Sequence, residues 1–215
     1  EESMASRPQR ADIIRHVLAI FACLVLGWLG VVEGVRIPIL SDASYGFHAL
    51  GHLLTWFLPE VYRTMMGSLV QVLVPLGFAG YFLLFHRDLV GVSLMLAWTG
   101  LSAGETAAYI ADAAAQTMII GPGHVQHDWA FALTALDKMG AADELAWIFQ
   151  AAALACIFIG MGVAAIGAVR VVAEAQAAPR VDVYLERKPV QGRIEYDEWA
   201  RSQSSTGAPQ PPSAG

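Results

Sequence analysis

The sequence predicts an all-α polytopic membrane protein with four transmembrane helices and one short interfacial or re-entrant helix. Two observations predict it. The 215 residues are 56% hydrophobic and only 15% charged, with a mean hydropathy of +0.50. That is too apolar for a soluble domain of this length. The apolar residues are also gathered into runs near the roughly 20 residues that a bilayer core requires. The net charge of −6 is scattered along the chain. No basic stripe offers itself to nucleic acid, so no such partner is expected.

The first expected span, 13–32, follows a basic N-terminal segment and so begins like a signal peptide. The run is long, however, and Glu33-Gly-Val-Arg36 is not a small-residue cleavage site, so a retained helix is expected. The segment 48–58 is apolar but too short to span, and Pro59 is expected to end it. The remaining spans are expected at 66–85, 89–114 and 145–169. The division is therefore a transmembrane domain over 1–176 and a cytoplasmic tail over 177–215. The tail carries a short strand or helix extension at Val181-Asp-Val-Tyr-Leu-Glu and becomes disordered from about 202, where Ser, Gly, Pro, Ala and Gln dominate. Cys23 and Cys156 fall inside apolar runs and read as packing residues.

Orientation follows from the basic residues. Arg7, Arg10 and Arg15 precede the first span, Arg87 lies in the tight turn between the second and third, and Arg170, Arg180, Arg187 and Lys188 follow the fourth. Both termini are thus expected in the cytoplasm of a cell whose inner membrane holds the protein. The two long loops, with Glu33, Asp42, Glu60, Asp128, Asp137, Asp143 and Glu144 against Arg36, Arg63 and Lys138, are expected outside.

That topology collects the ionisable residues on one side. His48 and His52 are one helical turn apart, a spacing that can hold one metal ion. Glu105, Tyr109 and Asp112 share one helical face at the outer end of the third span. His124, His127 and Asp128 follow in the second outer loop. Ionisable groups at this depth require partners or a function, and a set of imidazoles and a carboxylate suits zinc. The expected metal ligands are His48, His52, His127 and Asp112, with Glu105 and Asp128 as candidate general bases. Each also has a structural reading: interfacial histidines, a helix-joining hydrogen-bond network, or Asp128 as a helix cap. Ser68, Gln71 and Pro75 in the second span read mainly as structural, with Gln71 able to face the polar site. His16 and His86 fall on the opposite side and read as interfacial.

Two resemblances attach to these motifs. His48-Ala-Leu-Gly-His52, Gly67-Ser-Leu-Val-Gln71 leading to Pro75, Tyr109-Ile-Ala-Asp-Ala113 and His127-Asp-Trp129 resemble the pattern of a group of uncharacterised bacterial four-helix integral membrane proteins, over roughly 45–165. That resemblance implies a shared site without implying an activity. The His48-x-x-x-His52 pair in an apolar helix, followed by an acidic residue on a later span, more weakly resembles site-2-type intramembrane zinc metalloproteases. That resemblance implies a metal-dependent hydrolase. The acidic residue that the proteases carry after the first histidine, and that the four-helix group often carries there, is Ala49 here, and no Asn-Pro-x-Asp-Gly segment is present. The expected function is therefore an outward-facing metal site, hydrolytic if another carboxylate replaces the base. The alternative is a non-catalytic structural or accessory subunit of a membrane complex, its partners being other membrane subunits. Gly160-Met-Gly162 and Ala164-Ala-Ile-Gly167 suit close helix packing, within the bundle or with such a partner.

Overall fold

The computed structural model describes residues 6–118, 126–177 and Arg201. The chain divides into two compact units, Glu1–Ala177 and Ala178–Gly215. Apart from Arg201, the expected tail lies outside the described residues, as does His124.

All described elements are helical. Helix α1 (Ser6–Val25) continues as a π-helical stretch, Leu26–Val32. Helix α2 is Leu40–Leu54. Helix α3 (Glu60–Tyr81) runs on through a π turn, Phe82–His86. Arg87, in the left-handed region at φ +52°, reverses the chain, and the Asp88 carboxylate accepts from Val90 N (3.1 Å) to cap helix α4, Leu89–Ala111. Helix α5 is Asp128–Ala135, and α6, the longest, is Ala142–Ala177.

Three helical stretches are long and apolar enough to cross a membrane: Arg10–Val32, Glu60–His86 and Met139–Ala177. Helix α4, the expected third span, has comparable length but is not one of them. The reason is its position. It is the interior helix, packed on α6, α3 and α1, so its composition answers to the bundle and not to lipid. Ser93, Thr99, Ser102 and Thr106 on it are buried, and each has a partner. Thr99 and Thr106 donate to carbonyls one turn back, Ser102 Oγ meets Ser44 Oγ at 2.9 Å, and Ser93 Oγ meets Cys23 Sγ at 3.3 Å. Helix α6 lies close enough that a Cβ on Gly100 would stand 2.8 Å from the Ala153 carbonyl, and one on Gly160 would stand 3.0 Å from the Ser93 carbonyl. Gly160 thus serves packing inside the bundle. The outer faces of α1 and α6 carry exposed Phe21, Trp28, Phe158, Ile159 and Ile166. An apolar exterior around a small and polar interior is the arrangement of a membrane-embedded bundle.

The short helix departs from its expected bounds. It begins eight residues earlier, at Leu40, and ends at Leu54. Pro59 does not end it. Thr55 Oγ1 and N both turn back to the Gly51 carbonyl, and Pro59 instead caps the N-terminus of α3, a place where its missing N–H costs nothing.

Candidate metal centre

Helix α2 supplies both imidazoles, and their i, i+4 spacing turns them to one face. His48 is buried and His52 half-buried. Helix α5 begins at Asp128, whose backbone N–H donates to Tyr109 Oη at 3.0 Å. Its carboxylate reaches across to α2. Asp128 Oδ2 is 3.0 Å from His48 Nε2 and 3.2 Å from His52 Nε2, and the two Nε2 atoms are 3.0 Å apart. Three donor atoms from residues up to 80 positions apart in sequence thus converge, each within 4.8 Å of the others.

The outer partners prepare the donors. His52 Nδ1 donates to the Arg63 carbonyl at 3.0 Å. The lone pair of a neutral His52 is thereby placed on Nε2, the atom facing His48 and Asp128. A carbonyl-oriented histidine of this kind is the usual support of a metal-bound imidazole. The hydrogen bond to Asp128 draws the His52 pKa above its ordinary value, against the effect of burial. Burial pushes Asp128 up, but the hydrogen bonds from His48 and His52 outweigh it and hold the carboxyl below its ordinary value.

Two glycines create the space. A Cβ on Gly67 of α3 would lie 2.5 Å from His52 Nε2 and 2.8 Å from His48 Nε2. A Cβ on Gly51 of α2 would lie 2.5 Å from the Met66 carbonyl oxygen and 2.9 Å from Gly67 Cα. Helices α2 and α3 therefore cross backbone to backbone at Gly51 and Gly67, and the imidazoles lie over the bare Cα of Gly67. One residue on, Ser68 Oγ accepts from Trp129 Nε1 at 3.0 Å, tying α3 to α5 beside Asp128.

The structure places each expected site residue. His48, His52 and Asp128 come together, with Asp128, expected as a base, standing as the third donor. His127 is buried alongside and does a helix-cap's work: its Nδ1 accepts from Ala130 N at 3.2 Å. Its Nε2 lies 3.5 Å from Asp112 Oδ2 and has no hydrogen-bond partner among the described residues. Burial pushes the His127 pKa below its ordinary value. Asp112 closes the end of α4, accepting from Thr117 N and Oγ1 and from Met118 N. The Tyr109 ring stands by both groups, 4.1 Å from the His127 centroid and 6.1 Å from that of His48. His127 and Asp112 thus form a neighbouring pair outside the converging three. Glu105 accepts from Gln71 Nε2 at 3.2 Å. Both line a cavity of about 910 Å³, and His48 and Tyr109 are also on its wall. Ala49 is exposed, so a carboxylate there would point away from the three donors.

Gly51, Gly67, the Arg63 carbonyl and the Trp129–Ser68 bond were not read from the sequence. The glycines carried a signal, since each immediately precedes a polar residue of the site region, His52 or Ser68. No protein-family model, curated protein or solved structure matches this chain.

Proposed function

We propose that the chain is a multi-pass membrane protein that holds one divalent transition-metal ion, zinc by its donor chemistry, through His48, His52 and Asp128. The observation that carries this reading is the convergence of three ligand atoms, with the second nitrogen of His52 already committed to a carbonyl. Two imidazoles and a carboxylate leave one tetrahedral position open, and an ion so held supplies Lewis-acid activation of water or substrate. In this reading α4 is a fourth span, both termini are cytoplasmic, and the centre faces outward across an inner membrane.

The reaction class is hydrolysis of a substrate held in the adjoining cavity. With Asp128 engaged as a ligand, Glu105 is the carboxylate available to take a proton, oriented by Gln71. The likeness to site-2-type proteases rests on the histidine pair and a later acidic residue on another span, and the exposed Ala49 gives it no help. A second reading, a non-catalytic metal centre in an accessory subunit, is favoured by one observation: of the three donors, only His48 lines the cavity.

Metal analysis of purified protein tests the centre. The wild type should hold one equivalent. His48→Ala, His52→Ala and Asp128→Asn should each lose it while remaining folded, and metal retained in all three would end the proposal. Hydrolysis abolished by Glu105→Gln with metal content intact supports catalysis. Bound metal with no hydrolysis supports the accessory reading. Reporter fusions after Arg87 and near Lys138 test the topology, with cytoplasmic and external signals expected respectively.

A further inference from the structure

The 910 Å³ cavity is at the large end of small-molecule sites, and its two walls differ in chemistry. One is formed by the end of α1 and the start of α6. It carries Val31, Val32, Ala146 and Trp147 and continues through Val35 and Met118; its polar groups are Gln150, spent on the Val31 carbonyl, and the exposed carboxylates Glu33 and Asp143. Val32, Val35, Met118 and Trp147 are exposed as well as lining, at 53%, 48%, 43% and 73%. The apolar wall therefore runs out onto the bundle's outer surface. The other wall is formed by α2, α3 and α4 and carries Ser41, Tyr45, His48, Gln71, Glu105 and Tyr109. It combines hydrogen-bonding groups with one carboxylate. The guanidinium at the cavity, Arg36, is already paired with Asp42, while Glu33 and Asp143 add further negative charge.

A water-borne polar solute has no use for a wall that opens through exposed valine, methionine and tryptophan. A molecule already dissolved in the bilayer does. Its polar end must suit hydrogen-bond donors and acceptors beside Glu105, and without metal no unpaired cationic side chain among the described lining residues receives an anion. We propose that the cavity binds a neutral acyl lipid, a glycerol ester entering sideways from the leaflet. Its hydrocarbon chain lies between α1 and α6, and its ester end lies against His48, Gln71 and Glu105. This names the substrate class of the hydrolytic reading and rests on it for turnover, whereas binding itself requires only the cavity.

Photo-labelling in nanodiscs tests the proposal. Two probes of equal chain length, each with a diazirine in the chain, are compared at pH 8: a monoacylglycerol and the corresponding free fatty acid. Adducts are mapped by peptide mass spectrometry and normalised to those on α6 around Ile159 and Ile166, which are exposed on the apolar outer face of that helix. The neutral probe should label the cavity peptides containing Val35 and Trp147 about tenfold more than the anionic probe, the discrimination expected when a carboxylate meets a second negative charge in a poorly solvated site. Ala108, exposed on α4 and lining the cavity, can be enlarged without entering the core, so Ala108→Trp should remove that labelling and spare the α6 adducts. Cavity labelling no stronger than the α6 reference, or undiminished in Ala108→Trp, would overturn the binding site. Equal labelling by both probes in chelator-treated protein would overturn the neutral head. The same measurement with chelator present separates the two readings: labelling that survives in metal-free protein upholds the lipid site even if the metal centre fails.

Discussion

Replacing Gly67 with alanine should damage the metal centre while leaving the fold standing. The added Cβ would sit 2.5 Å from His52 Nε2, 2.8 Å from His48 Nε2 and 2.8 Å from His48 Cε1. Real Cβ contacts do not fall below 3.0 Å, so the His52 ring must retreat by about 0.5 Å and the His48 ring by about 0.2 Å. The colliding atoms are the tips of side chains, which rotate at modest cost to the bundle. Metal–ligand distances, by contrast, tolerate only about ±0.2 Å. Both rings are also pushed in one direction, away from α3, which takes the His52 Nδ1 proton off the Arg63 carbonyl. Disturbing such an outer partner typically lowers metal affinity by about 10–100-fold, and that is the expected loss. Gly51→Ala should behave in the opposite way. Its Cβ meets the Met66 carbonyl and Gly67 Cα, so backbone must move, and destabilisation of about 1–3 kcal/mol is expected. Gly77→Ala, where nothing lies within 4 Å, is the control. The assay is competition for zinc against a chelator of known affinity, beside thermal unfolding in detergent. Wild-type zinc affinity in Gly67→Ala would refute the reasoning, because the rings would then not occupy the space over that Cα.

Ala49→Glu should produce no gain in hydrolysis, because position 49 is exposed; an increase measured on any membrane-embedded peptide would show that the helix presents it to the metal. Ser68→Ala should cost about 1–3 kcal/mol in unfolding free energy by stranding the buried Trp129 Nε1–H, with a neutral result refuting the tie between α3 and α5. Zinc affinity should fall between pH 8 and pH 6. His52, raised above 6.5 by its bond to Asp128, gains a proton as pH falls, and that proton competes for Nε2. An affinity flat across that window, measured by chelator competition, would exclude His52 as a ligand.

How far the sequence could be read differs between fold and site. Long apolar runs announce helices, and three of the four expected spans qualify by length and composition. Helix α4 reads weakly because its neighbours are other helices: Ser102 answers Ser44, and Gly100 answers Ala153. The histidine pair was readable because i, i+4 spacing is a local property. The third donor was not, since nothing local distinguishes His127 from Asp128. What decides between them is position: Asp128 Oδ2 reaches both Nε2 atoms on α2, whereas His127 Nε2 lies against Asp112. The bounds of α2 were misjudged at Pro59 because a proline that ends one helix and one that opens the next look alike in sequence.

The interior position of α4 bears on how the protein enters its membrane. In the four-span topology proposed above, this helix carries Glu105 and four buried serines and threonines, and only Arg87 and Asp88 separate it from the π turn that ends α3. Alone in lipid Ser93, Ser102 and the Glu105 carboxylate would lose the partners that other helices supply. In that topology insertion in pairs is expected, with α3 drawing α4 in as a hairpin and α6 completing the seal when it emerges. A chain cut after residue 118 would lack α6, the helix along which α4 packs most extensively. It should hold α4 loosely, exposed to quality-control proteases until synthesis of the last helix is complete.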